Sequence, residues 1–181
     1  MHLDALKEVI RNIPDFPEPG IQFKDITTLL KSPRHLKLAV EGLAAPFRAD
    51  APEGPLAERI DAVAGMEARG FVFGPLVAWQ LDLPFIPIRK PGKLPAPTHS
   101  VAYDLEYGSA SLEVHQDALL TGQRVLVIDD LLATGGTAAA TAELIGRCGA
   151  EVAAFAFVIE LAFLTGREVL APHRVHAVIQ Y

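Results

Sequence analysis

The run Val125-Leu126-Val127-Ile128-Asp129-Asp130-Leu131-Leu132-Ala133-Thr134-Gly135-Gly136-Thr137 decides how this chain reads. Residues 125–128 are apolar and largely β-branched, as in a strand covered on both faces, and they end in two carboxylates. Chemistry is therefore expected at the carboxyl end of a strand. Small and hydroxylated residues follow at 133–137, where Gly135 and Gly136 are free to adopt positive φ, just before an Ala-rich helical stretch. A turn of that composition wraps backbone N–H groups around a phosphate.

A bare phosphate site would gain nothing from two adjacent aspartates, whose charges repel the ligand. The pair makes sense if the ligand also carries hydroxyls or a bridging cation, because ionised carboxylates accept hydrogen bonds and attract Mg²⁺. A ribose 5-phosphate meets both conditions. Rival phosphate motifs fit poorly: Gly136 is followed by Thr137 rather than by the Lys of a Walker loop, and the run has no G-x-G-x-x-G spacing. Taken singly, Asp-Asp or Gly-Gly would describe only a polar strand-to-helix turn. The ordered run resembles that of the type I phosphoribosyltransferases. The resemblance implies that Asp129 and Asp130 hold the ribose 2′ and 3′ hydroxyls, while Ala133, Thr134, Gly135, Gly136 and Thr137 hold the 5′-phosphate.

Length and charge bound the remaining possibilities. At 181 residues the chain suits one domain that buries about 70% of its unfolded surface. Half the residues are hydrophobic and the formal net charge is −6, so no general attraction for nucleic acid is expected and any anion site must be built locally. Cys148, the single cysteine, excludes an internal disulfide and a multi-cysteine metal site, and reads as a core thiol. His35, His99, His115, His173 and His176 have no metal-ligand spacing and read as surface or core residues. Met1-His2-Leu3-Asp4 lacks the basic and apolar regions of a signal peptide, and the apolar run 152–159 stops at Glu160, well short of the roughly 18 residues a membrane span requires. No membrane association and a cytoplasmic location are expected.

Outward from the central run, strands alternate with helices. Leu3, Leu6, Val9 and Ile10 share one face of an opening helix predicted to end near Asn12, before Pro14. Ser32 as N-cap and Pro33 start a second helix, along which Leu36, Val40, Leu43 and Phe47 recur at helical spacing. Strands are predicted at 62–64, 85–88, 125–128, 152–159 and 175–179, with helices at 70–81 and at 137–148, the latter closed by Gly149. This order predicts an α/β fold with a central parallel sheet flanked by helices and a ligand outside the carboxyl ends of the strands. Residues 89–117 are rich in Pro, Gly and polar side chains and too long for an ordinary connection, so a flap or small subdomain is expected there.

Four further segments narrow the resemblance: Gly65-Met66-Glu67-Ala68-Arg69-Gly70-Phe71, Arg89-Lys90-Pro91-Gly92-Lys93-Leu94-Pro95, Tyr103-Asp104-Leu105-Glu106-Tyr107-Gly108, and Pro19-Gly20-Ile21-Gln22-Phe23-Lys24-Asp25-Ile26. Arg69, between a strand and a helical stretch, is placed to fork onto a phosphate, and Arg89, Lys90 and Lys93 concentrate positive charge in an acidic chain, which suits a diphosphate. Together the segments are similar to the diphosphate loop, flap hinge, flap tip and base-binding hood of the adenine phosphoribosyltransferases. The chain is identified as a member of that family, with one domain over 1–181, a hood at about 1–31 and a flexible flap at about 90–117.

The resemblance implies a purine salvage reaction in which 5-phospho-α-D-ribose 1-diphosphate and adenine give AMP and diphosphate. It implies Glu106 as the general acid–base. Arg69, Arg89, Lys93 and Tyr107 would hold the diphosphate. Gln22 and Lys24, through main-chain groups, and Phe23 and Leu161, through their side chains, would hold adenine, with Asp25 ordering the hood. Mg²⁺ would be held mainly by substrate oxygens and water. A homodimer is implied too, its hinge residues reaching the neighbouring subunit's site. Two alternatives stay open: a phosphoribosyltransferase for another purine base, and a non-catalytic regulator that senses the ribose diphosphate. The regulator would need a basic DNA-binding segment, which the net charge and the few residues before Phe16 do not supply.

Overall fold

Period-two alternation along one buried strand organises the molecule, a computed structural model that describes residues 3–51, 59–104 and 109–181. Strands β3 (Ala62–Met66), β4 (Phe85–Ile88), β7 (Arg124–Leu132), β8 (Glu151–Glu160) and β9 (Val175–Gln180) form an all-parallel sheet in the order β4-β3-β7-β8-β9. In β7, Leu126 and Ile128 join one core and Val125 and Val127 the other, so the stretch 125–128 is apolar at every position because both of its faces are covered. Helices α1 (Ala5–Val9), α2 (Thr27–Leu30), α3 (Pro33–Ala44) and α4 (Gly70–Leu81) contribute to the first core. Helix α5 (Gly136–Arg147), with Leu144 and Ile145, fills the second, and the short α6 (Gly166–Val169) precedes β9. The expected parallel α/β architecture is the one observed.

Local signals held where the chain closes its own hydrogen bonds. Ser32 caps α3 by accepting from the His35 backbone N–H, with Pro33 at the first helical position. Gly149 takes positive φ just after α5. Two expectations need correction. The opening helix stops at Val9, not near Asn12, because β1 (Arg11–Pro14) pairs antiparallel with β2 (Gln22–Asp25), and Arg11 meets Asp25 at 3.0 Å. Strand β7 runs past the carboxylates to Leu132, since its pairing with β8 continues to Leu132 opposite Glu160; Asp129 and Asp130 lie inside the strand. For the stretch 89–117 a flap or small subdomain is expected. It contains an antiparallel hairpin of β5 (Thr98–Asp104) and β6 (Ser109–His115), whose Val101, Leu112 and Val114 are buried in the second core. Arg147 of α5 donates to the Ser100 carbonyl at 2.5 Å, which seats the hairpin on the helix. Glu106 and Tyr107 lie outside the described residues.

At the end of β8, Glu160 is 4% exposed and accepts from Arg167 Nε at 2.9 Å and Nη2 at 2.5 Å, and from Gln180 Nε2 at 2.8 Å. The Arg167 hydrogen bonds, opposed by burial and helped by Gln180, hold its pKa below the ordinary glutamate value. A depressed carboxylate pKa stabilises the fold above the unfolded value and loses that stabilisation as pH falls through the folded one. Glu160→Gln is therefore expected to lower stability by roughly 1–3 kcal/mol at neutral pH, limited by the partial exposure of Arg167. Urea unfolding of both proteins should show the difference shrinking as pH drops below about 4.

Candidate active site

The carboxyl end of β3 lies beside Ile128 of β7, just before the acidic pair, so the segment that follows β3 meets the 129–137 run over the carboxyl edge of the sheet. Between them is a cleft of about 200 Å³ lined by Arg69, Asp129, Asp130 and residues 133–137, with Met66 and Phe157 beneath. All the residues expected to hold ribose 5-phosphate, together with Arg69, are thus brought together. Gly135 starts the turn into α5 at φ +85°, a conformation that favours glycine. A Cβ on Gly135 would lie 2.8 Å from the Gly166 carbonyl, and one on Gly166 would collide with the Ala133 carbonyl. The turn is therefore buttressed by bare backbone from the start of α6. Gly166 was missed from sequence, and nothing around it marks its role, which exists only through the packing of two distant segments.

The acidic pair is asymmetric. Asp130 is 2% exposed and its Oδ2 meets Arg69 Nε at 2.5 Å, while its own backbone N–H donates to Asp129 Oδ1 at 2.9 Å. Burial, and then the neighbouring Asp130 charge, raise the Asp129 pKa well above the carboxylate norm. Arg69 immediately precedes α4, and Gly70 passes so close to β7 that a Cβ there would sit 2.8 Å from the Ile128 carbonyl and 3.2 Å from Asp129 Oδ1. The absence of a side chain at Gly70 lets the 65–71 loop lie against the acidic pair.

Arg89 does not line this cleft; Glu67 holds it at the end of β4. Glu67 accepts from Arg89 Nε at 3.2 Å and Nη2 at 3.4 Å and from the Lys90 backbone N–H at 3.0 Å, and Arg89 Nη1 donates to the Lys93 carbonyl at 3.0 Å. The Lys90 N–H, opposed by burial and helped by Arg89, lowers the Glu67 pKa. Lys93 is exposed and also outside the cleft. Glu67 is a second residue that sequence reasoning quoted without assigning a role. Its signal was a carboxylate beside the supposed anion loop, intelligible only with a cation to absorb its charge.

The expected base-binding residues also stand apart from the cleft. Phe23 lies on β2, half-buried, with Phe16 edge-on at 5.1 Å. Gln22 is exposed and accepts from Asn12, and the Lys24 ammonium lies 3.7 Å from the centre of the Tyr181 ring. Leu161, 9% exposed, follows β8 and donates its N–H to the Leu132 carbonyl at 2.9 Å. Asp25 orders the hairpin, accepting from the Thr27 N–H at 2.9 Å as well as pairing with Arg11. Among the described residues no three His, Cys, Asp or Glu side chains converge on a metal position. The hard oxygen donors at the cleft are Asp129 and Asp130.

Comparison with known proteins agrees with this arrangement. The family "Phosphoribosyl transferase domain" matches residues 27–174. An adenine phosphoribosyltransferase of Methylococcus capsulatus is 59% identical, the alignment covering 99% of this chain and 100% of the relative. The crystal structure of the adenine phosphoribosyltransferase of Thermoanaerobacter pseudethanolicus superposes with a TM-score of 0.91 at 46% identity, covering 99% of each chain. That of Saccharomyces cerevisiae, solved with adenine and D-2,5-dideoxy-2,5-imino-altritol 1,6-bisphosphate, gives 0.90 at 36% identity and covers 98% of each. Likeness at this level over the whole length, to relatives that share one activity, means that the chain belongs to the adenine phosphoribosyltransferase family.

Proposed function

We propose that this chain transfers the 5-phosphoribosyl group from 5-phospho-α-D-ribose 1-diphosphate to adenine, giving AMP and diphosphate. The observation that carries the reading is the single cleft in which a carboxylate pair faces a small-residue turn at a helix start, with Arg69 across Asp130. Asp129 and Asp130 accept from the ribose hydroxyls, and the 133–137 turn, whose first helical N–H groups have no intrahelical partner, receives the 5′-phosphate. Arg69, Arg89, Lys93 and Tyr107 take the diphosphate. Phe23 and Leu161 cover the faces of adenine, and main-chain groups of Gln22 and Lys24 read its edge. In this reading residues 1–31 act as a hood, the hairpin segment 90–117 as a flap, and a cytoplasmic setting is the expected one.

Displacement at the anomeric carbon builds oxocarbenium character on the ribose, so the site must stabilise the leaving anion and keep water out. The guanidiniums take up the charge of the leaving group. Glu106 receives the N9 proton as adenine attacks. Asp129 and Asp130 fit Mg²⁺ as partial donors beside substrate oxygens and water. When bound, the ion would offset charge on the diphosphate. A homodimer completes the reading, with hinge residues contributing to the neighbouring site. It is supported by α4, whose side chains are apolar apart from Gln80 and which nevertheless leaves Trp79 84% exposed.

Purified protein assayed across purine bases is expected to favour adenine over hypoxanthine by at least about tenfold in kcat/KM, since a 6-oxo group leaves amide partners unpaired at roughly 1–3 kcal/mol each. Equal turnover of the two bases would refute the base assignment. Asp129→Asn and Asp130→Asn should each weaken ribose-diphosphate binding by calorimetry about 10- to 150-fold, the worth of one charge-assisted hydrogen bond; a folded variant with unchanged affinity would remove that residue from the site. Glu106→Gln is expected to lower the single-turnover rate by about 10²–10⁴ with little change in ribose-diphosphate affinity. A rate close to that of the wild type would leave Glu106 without a general-base role.

A further inference from the structure

We infer that Tyr181 is a positioning residue for the base site, fastening the β1–β2 hairpin to the strand end that carries Leu161. The inference rests on the reading that Phe23, Lys24 and Leu161 surround adenine. Phe23 and Lys24 lie near one end of the sequence and Leu161 near the other, and a base held between them needs the two sides kept at a fixed distance. Tyr181 touches both. Its ring receives the Lys24 ammonium of β2 at 3.7 Å, and the Lys7 ammonium of α1 lies 5.8 Å from the same centre. Its backbone is tied to the residues on either side of Leu161: the Tyr181 N–H donates to the Glu160 carbonyl at 2.9 Å, and the Ala162 N–H donates to the Tyr181 carbonyl at 3.0 Å.

The two ties differ in kind, and the difference makes the role testable. The backbone bonds continue the β8–β9 pairing, which ends with Glu160 opposite Gln180, so any side chain at position 181 preserves them. The link to the hairpin depends on an aromatic face, whose quadrupole attracts an ammonium, and on the packing of a partly buried ring against the first core. A phenyl ring keeps this link and an aliphatic side chain does not. The phosphate turn and the acidic pair lie at the ends of β3 and β7 and take no part in it.

Steady-state kinetics and ribose-diphosphate calorimetry on Tyr181→Phe, Tyr181→Leu and Tyr181→Ala test the inference. Tyr181→Phe should leave the adenine KM within about twofold of wild type. Tyr181→Leu and Tyr181→Ala should raise it about 2- to 30-fold, the range a cation–π contact supplies, with ribose-diphosphate affinity unchanged. Lys24→Gln, which keeps the strand backbone, should raise the adenine KM similarly and add little on top of Tyr181→Leu. It also carries the test if neither aliphatic variant folds. An unchanged adenine KM in Tyr181→Leu or Lys24→Gln overturns the inference, and so does a parallel loss of ribose-diphosphate affinity, the mark of general disruption. Phe23→Ala separates the two levels: if it too leaves the adenine KM unchanged, the base-site reading fails; if it raises the KM while Tyr181→Leu does not, only the role of Tyr181 fails.

Discussion

The contact between Arg69 and Asp130 is the constraint on which the rest of the site depends. Asp130 projects from a strand buried on both faces, where a carboxylate without a partner would cost several kcal/mol. The partner comes from the segment after the neighbouring strand. To reach it the 65–71 loop must cross the end of β7 at backbone distance, which Gly70 permits. Once the loop is fixed there, the position of Glu67 follows, and through Glu67 so does that of Arg89 at the end of β4. One buried charge thus aligns three consecutive strand ends in the sheet.

Much of this was legible because the features that decide the architecture are local. The apolar runs of the buried strands, Ser32 and Pro33 at a helix start and Gly149 at a helix end act over a few residues, and the structure repeats them. The ordered run 125–137 brought its own candidate site residues together, since strand, turn and helix start are consecutive in the chain. The features that were misread or missed depend on partners far away in sequence. Arg11–Pro14 looks like the end of a helix until Gln22–Asp25 pairs with it. In the β5–β6 hairpin Val101, Leu112 and Val114 alternate with Ser100, Ala102, Ser111, Glu113 and His115, but the partner that covers their face, α5, lies more than twenty residues further along the chain. Gly166, Glu67 and Tyr181 act only through contacts that no local pattern encodes.

Chain charge poses a problem that the geometry answers. A protein of net charge −6 that takes up a ligand bearing a phosphate and a diphosphate cannot rely on its overall field. Exposed cations strong enough to overcome that field would also hold the diphosphate product tightly. Here the guanidiniums assigned to the diphosphate already rest on carboxylates, Arg69 on Asp130 and Arg89 on Glu67. In the proposed reading both guanidiniums are already paired before the ligand enters, and binding of the diphosphate is an exchange of partners rather than the addition of a new ion pair. In that reading Asp130, given up by Arg69, is compensated by the hydroxyls of the ribose diphosphate, whereas diphosphate alone offers it no hydroxyl. Intact ribose diphosphate then satisfies both halves of the exchanged pair and free diphosphate only one, a preference that follows from the placement of one arginine against one buried aspartate.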